Sequence, residues 1–156
     1  MNLSPNFTLA ELTKSQTAAR RGISNAPPPP VIARLRTLCT EVLEPLRAEV
    51  GGPIVINSGY RSPALNRVIG GADTSQHTLG EAADIERPGL SNLALAQAVI
   101  DAGLPFDQLI LEAYDPDQPG SGWVHISYRA GRLRRQVLTA RVQRGGGMAY
   151  SNGLAA

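Results

Sequence analysis

The sequence predicts an α+β fold, a small antiparallel sheet backed by helices. Val31, Leu35, Leu38, Val42, Leu46 and Val50 recur at helical spacing in the first half of the chain. Short β-prone runs crowd the second half, at 107–113, 123–129 and 132–142. Helices come first and strands follow with one helix interposed, an order that suits a sheet covered by helices. A length of 156 residues favours one domain, and a domain of that size buries roughly 70% of its extended-chain surface. Apolar residues make up 42%, too many for a wholly disordered chain.

The elements follow in order. Thr8-Leu9-Ala10-Glu11 is a capping box, and the helix it starts runs to Gly22. Pro27 to Pro30 form a stiff polyproline connector. Residues 31–50 read as a core helix that Pro45 must kink or split and that Gly51-Gly52 end. Cys39 lies off its apolar stripe and reads as structural. Residues 53–57 make a short strand, and Ser62-Pro63 cap a short helix that stops at Gly70-Gly71. Residues 82–86 are weakly strand-like, and Ser91 caps a helix over 92–102 with Gly103 behind it. Ala130-Gly131 supply a tight turn between the last two strands. The domain spans 1–144, and 145–156 read as a loose tail.

Composition narrows the function. One cysteine excludes an intramolecular disulfide and a cysteine-rich zinc site. Aromatics at 4% argue against a base-stacking surface, and a net charge of +2 falls short of a nucleic-acid footprint. Arg129, Arg132, Arg134, Arg135, Arg141 and Arg144 form a local basic excess, read as a solvated strand face or as attraction to an anionic wall polymer. The start, MNLSPNFTLAELTK, lacks the pattern of a signal peptide, and no apolar run is long enough to cross a bilayer.

The segment that carries chemistry is Ser75-Gln76-His77-Thr78-Leu79-Gly80-Glu81-Ala82-Ala83-Asp84, with Trp123-Val124-His125 later. Two imidazoles and a carboxylate make a ligand set that suits one Zn²⁺ with its fourth position open to water. Such an ion lowers the pKa of bound water to roughly 7 and polarises a carbonyl. Two histidines are also compatible with plain structural roles.

The pattern S-x-H-x-x-G-x-A-x-D followed by W-x-H closely resembles the zinc D-Ala-D-Ala carboxypeptidase family. That family includes bacterial D,D-carboxypeptidases, D,D-dipeptidases and phage endolysin peptidases, and shares the hedgehog-like fold. Ser75, His77, Gly80, Ala82 and Asp84 meet the motif, Ser58-Gly59-Tyr60-Arg61-Ser62 resembles its S-G-Y-R-S segment, and Phe7–Leu12 resembles the opening of the phage-type branch. The resemblance implies zinc on His77, Asp84 and His125. It gives Arg61 a grip on a substrate carboxylate or carbonyl, chemistry that a planar guanidinium suits. Ser75 orients the first ligand, contacts substrate, or serves only as a turn residue. Gly80 reads as a backbone turn.

One departure stands out. Several branches of the family place a glutamate three residues before the last histidine, and here that position is Gly122. Glu112 is the expected substitute base. In a symmetric hairpin Tyr114 faces Trp123 and Glu112 faces His125, with Cβ atoms roughly 5 Å apart. Asp115 and Asp117, on a loop with Pro116 and Pro119, are the runners-up, and Glu81 and Glu86 read as solvated. The resemblance implies a zinc metallopeptidase cutting peptidoglycan stem peptides at D-Ala-D-Ala or L-Ala-D-Glu. Its expected setting is a monomer made in the cytoplasm that reaches the wall in phage-type lysis. The alternative is a non-catalytic, zinc-bearing wall-binding or virion module.

Overall fold

The capping box forms as the spacing predicts. Thr8 Oγ1 accepts from the Glu11 amide at 3.2 Å, and the Glu11 carboxylate accepts from the Thr8 amide at 3.1 Å. The computed structural model describes residues 1–118 and 120–155; Pro119, on the runner-up loop, and Ala156, in the tail, lie outside the described residues. Ahead of the box, β1 (Asn2–Ser4) and β2 (Phe7–Thr8) pair as a small ribbon that the sequence pattern does not announce. The single helix expected to reach Gly22 is two, α1 (Leu9–Thr13) and α2 (Gln16–Arg21). Ser15 causes the break, since its Oγ accepts from the Ala18 amide as a fresh N-cap.

The apolar stripe of 31–50 folds as α3 (Pro29–Leu38), a π-helical turn over Cys39–Leu43, and α4 (Glu44–Val50). Half of the polyproline run thus serves as the first turn of α3. The Glu44 amide reaches back to the Cys39 carbonyl, and Pro45, which has no amide to give the turn before it, follows directly at the start of α4. Cys39 is fully buried, and burial pushes its thiol up to about 12, with Glu44 and Glu11 adding to the shift. The thiol stays protonated, as a structural side chain should.

After β3 (Val55–Ser58) comes α5 (Pro63–Val68), capped by Ser62, and after β4 (Ala82–Glu86) comes α6 (Asn92–Asp101), capped by Ser91. Then follow β5 (Gln108–Tyr114), β6 (Trp123–Ser127), β7 (Gln136–Val142) and β8 (Met148–Asn152). The sheet has six strands in the order β3-β4-β6-β5-β7-β8. Two expectations are corrected here. The sheet is mixed, because β5 and β7 run parallel, so Ala130-Gly131 joins no hairpin. The loose tail is instead an edge strand, β8, paired antiparallel with β7.

Asp107 explains the crossover. Its carboxylate, fully buried just before β5, accepts from the Arg134 amide, Nε and Nη2, from Arg132 Nη2 and from Gln76 Nε2, all at 2.9–3.0 Å. The chain leaving β6 is thereby wrapped around the start of β5 and released on its far side as β7. Burial opposes the Asp107 charge, yet the hydrogen bonds from Arg134 and Arg132 prevail and hold its carboxyl well below the usual range. A depressed folded pKa means that this contribution is complete above the unfolded pKa, about 4, and is lost as pH falls through the folded value. Asp107→Asn should therefore cost on the order of 2 kcal/mol at pH 7, with the gap to the parent closing below about pH 4. Urea midpoints at a series of pH values check this; a gap independent of pH would sink it.

Period-two alternation splits the sheet into a core face and a cleft face. Leu109 and Leu111 of β5, Val124 and Ile126 of β6, and Ala83 and Ile85 of β4 are fully buried in one core with Leu35, Leu38, Leu46 and Leu95. Each buried leucine or isoleucine contributes about 1.5–3 kcal/mol. Asp84, His125, Ile110 and Glu112 occupy the other face. Among the described residues no helix is long and apolar enough to cross a membrane.

Candidate metal centre

Three elements deliver the three predicted ligands. Asp84 on β4 and His125 on β6 are direct partners in the antiparallel ladder, so their side chains leave the same face side by side. His77 lies on a short 3-10 turn, Gln76–Leu79, that precedes β4. Ser75 caps that turn, its Oγ accepting from the His77 amide at 3.2 Å. The Arg61 amide donates to the His77 carbonyl at 3.1 Å, and the Gly59 carbonyl accepts from the ring at 2.7 Å. The Gly59-Tyr60-Arg61 segment thus grips the ligand turn by its backbone and by its imidazole. Gly80 ends the turn at φ +75°, and a Cβ there would lie 2.7 Å from Val31 Cγ1 and 2.8 Å from the Val31 carbonyl oxygen. Glycine is demanded by both conformation and space.

The donor set fits a metal. The Gly59 carbonyl can only accept, so His77 Nδ1 carries the proton and Nε2 presents a lone pair. That lone pair faces Asp84 Oδ1 at 3.3 Å, and the same oxygen lies 3.0 Å from His125 Nδ1. All three donor atoms converge within 4.8 Å of one another. Tetrahedral ligands about 2.1 Å from one ion stand about 3.4 Å apart, close to the spacing seen. Two imidazole nitrogens and one carboxylate oxygen suit Zn²⁺ with an open fourth position. Burial opposes the Asp84 charge, but His77 and His125 hold its carboxyl well below the usual range, so it is ionised and ready to ligate.

The other predicted residues are brought to the same place. Arg61 sits with Nη2 3.6 Å from Asp84 Oδ2 and Nη1 3.3 Å from Asn66 Oδ1, aimed into the cleft beside the ligands. Glu112 lines the cleft too, on the face of β5 that carries His125's partner. The expected register is corrected: Glu112 faces Trp123, and Ile110 faces His125. The slip is two residues, so Glu112 stays on the metal face, diagonal to His125. The pairing with β6 ends at Glu112, and at Ala113, φ +50°, β5 bulges against β7 before Tyr114 pairs with Arg141. Burial raises the Glu112 carboxyl, with the Asp84 charge adding to the rise and His125 opposing it.

The cleft has a volume of about 570 Å³. Besides these residues it is walled by Gln76, Gln108, Trp123, Arg132, Arg134 and Tyr150; the sequence pattern places Trp123 in the W-x-H motif and reads the arginines as a solvated face or a wall-attracting patch, and it assigns Gln108 and Tyr150 no role. Tyr150 arrives on β8 opposite Ala140, whose small side chain leaves room for the ring to approach Glu112. Asp115 and Asp117 lie outside the cleft, where Asp115 Oδ1 accepts from the Asp117 amide in a local turn. Glu81, read as solvated, is buried at 6% exposure, because Gln76 Nε2 at 3.4 Å and Arg129 Nε at 3.9 Å satisfy it. Glu86 is half-buried and accepts from Asn57 Nδ2.

Gly122 has a structural reason. At φ +72°, a Cβ added to it would overlap the carbonyl oxygen of Glu112 and lie 2.9 Å from that of Ala113. Asn92 of α6 clamps this corner, its Nδ2 donating to the Ser121 and Gly122 carbonyls at 2.9 and 3.0 Å. No side chain fits at 122 while Glu112 keeps its place.

Comparison with known proteins agrees with this geometry. The profile of the family Peptidase M15 matches residues 5–127, ending at the last residue of β6. The zinc D-Ala-D-Ala carboxypeptidase of Streptomyces albus G is 34% identical over 131 residues, which cover 82% of this chain and 48% of that protein. The chain thus spans about half the length of this curated relative. The match covers every predicted site residue, from Arg61 through Ser75, His77, Asp84 and Glu112 to His125. The chain belongs to the peptidase M15 family.

Proposed function

We propose that this chain is a zinc-dependent peptidase that hydrolyses peptide bonds in peptidoglycan stem peptides; its relative is named a zinc D-Ala-D-Ala carboxypeptidase. The observation that carries the reading is Asp84 Oδ1 lying 3.3 and 3.0 Å from two imidazole nitrogens, with the His77 tautomer set by Gly59. His77, Asp84 and His125 would hold the ion, which supplies an activated water and polarises a carbonyl. Glu112 is the one cleft carboxylate outside the ligand set with a raised carboxyl. It takes the proton from the attacking water and returns it to the leaving amine. Arg61 donates to a substrate carbonyl or carboxylate beside the ligands, and Ser75 keeps the ligand turn in shape. The bond cut is D-Ala-D-Ala or L-Ala-D-Glu, and the setting is a monomer acting on the wall in phage-type lysis.

The test is incubation with purified sacculi, with and without a chelator, followed by muropeptide analysis. New amino termini that vanish on chelation and return with zinc are expected. Retention on sacculi without cleavage favours the non-catalytic module, the reading to which Gly122 in the usual glutamate position lends its weight. Elemental analysis after dialysis should find one zinc per chain in the parent and none in His125→Ala. Zinc kept by that variant removes His125 from the ligand set.

A further inference from the structure

The cleft continues past the metal residues to a pair of arginines. Along β5, the residues on the cleft face are Gln108, Ile110 and Glu112. Ile110 lies in the row of Asp84 and His125, Glu112 lies on one side of it, and Gln108 on the other. Arg132 and Arg134 line the Gln108 end. Two strand residues span about 7 Å, so this end stands about two residues from the metal row, opposite the base.

These arginines are built into place. Arg134 gives Nε and Nη2 to the two oxygens of Asp107, and Arg132 gives Nη2. Asp107 has no solvent exposure, and Gln76, the neighbour of His77, donates to it as well. The pair is therefore tied by one buried carboxylate to the turn that carries a metal ligand. Two guanidiniums on one carboxylate leave a surplus positive charge. Among the described residues, Nη1 of Arg134 and Nε and Nη1 of Arg132 have no protein hydrogen-bond partner. The Arg132 and Arg134 side chains are 47% and 44% exposed, open to a ligand in the cleft. Both follow residue 127, beyond the segment matched by the family.

We propose that Arg132 and Arg134, mounted on Asp107, form a carboxylate subsite. It reads an acidic group of the bound peptide about two residues from the bond that is cut. The inference rests on the peptidase reading for its ligand class. Planar donors held rigid suit a carboxylate, and the ordering cost is met in the free protein by the bonds to Asp107.

The probes are two synthetic stem peptides that end in D-Ala-D-Ala, whose glutamyl residue stands two residues before that bond; they are identical except at that residue, one with a free carboxylate and one with a carboxamide. Calorimetry on chelated, metal-free protein should show the carboxylate peptide bound about tenfold more tightly by the parent. In Arg132→Gln the preference should shrink to about twofold or less, with Arg132→Lys intermediate. Equal binding of both peptides by the parent, or a preference that survives in a folded Arg132→Gln protein, overturns the inference. Should Arg132→Gln fail to fold, the parent still decides. Its Arg132 Nε–Hε resonance should move with the carboxylate peptide and stay still with the carboxamide, and movement confined to Arg61 overturns the subsite. Zinc-loaded parent is tested separately for cleavage. Failure to cut either peptide refutes the peptidase reading, while selective binding through Arg132 still upholds the subsite.

Discussion

Glu112→Gln should lower kcat by about 10²–10⁴-fold, the usual worth of a positioned general acid–base group. The amide has the size of the acid and keeps a hydrogen-bonding oxygen, but it cannot take a proton from water. A thousandfold loss corresponds to about 4 kcal/mol of transition-state stabilisation. Zinc content should stay at one per chain, because Glu112 stands outside the trio of donor atoms. Stability should hold or rise slightly, since burial already disfavours the ionised form of this half-buried residue. The check pairs stopped-time cleavage assays with elemental analysis on one preparation. A variant with full zinc and full rate would remove Glu112 from the chemistry. Asp115 and Asp117 would be poor replacements, as neither reaches the cleft.

Gly122→Ala should be the most damaging single methyl group in the domain. The positive φ costs an alanine about 1–2 kcal/mol, and forcing a Cβ into the Glu112 carbonyl adds about 1–3 kcal/mol. The strand that must yield is β5 at Glu112 itself. Activity should therefore fall by more than the folded fraction does, at a temperature where the variant is still folded. Gly122→Glu, which restores the glutamate seen in other branches, should be worse still and should rescue nothing. Thermal melts and specific activity per folded molecule check both. An active, stable Gly122→Glu protein would mean that the backbone at this corner rearranges freely.

How much was legible depended on how local the cause was. The ligand segment Ser75–Asp84 announces itself because the cap, the turn, the glycine and two of the ligands are neighbours in the chain. Face is also legible: Glu112 and His125 share one because strands alternate with period two, and the two-residue slip leaves that parity intact. Register is not, since the pairing ends at a corner where Ala113, at positive φ, packs against Gly122. The basic run after β6 reads as solvent-facing because its partner, Asp107, is a lone acid some 25 residues earlier. The same distance hides the parallel pairing of β7, and with it the edge strand that brings Tyr150 to the cleft. Glu81 misled because its neighbours in sequence are small and apolar, whereas Arg129 and Gln76 reach it only in the fold.

The π-helical turn at Cys39–Leu43 has a consequence for the metal centre, which it never touches. The stripe from Val31 to Val50 advances mostly in steps of four, and at about 100° per residue its end drifts about 100° out of phase with its start. One extra residue wound into the turn takes up about that angle, like a vernier between two rulers. Both halves then present their apolar edge to the same side. Val31 and Leu35 press on Gly80, just before β4, while the Val50 carbonyl accepts from Arg87, just after it. The corrected helix clasps the strand of Asp84 at both ends, and deleting a residue from the turn would release one of them.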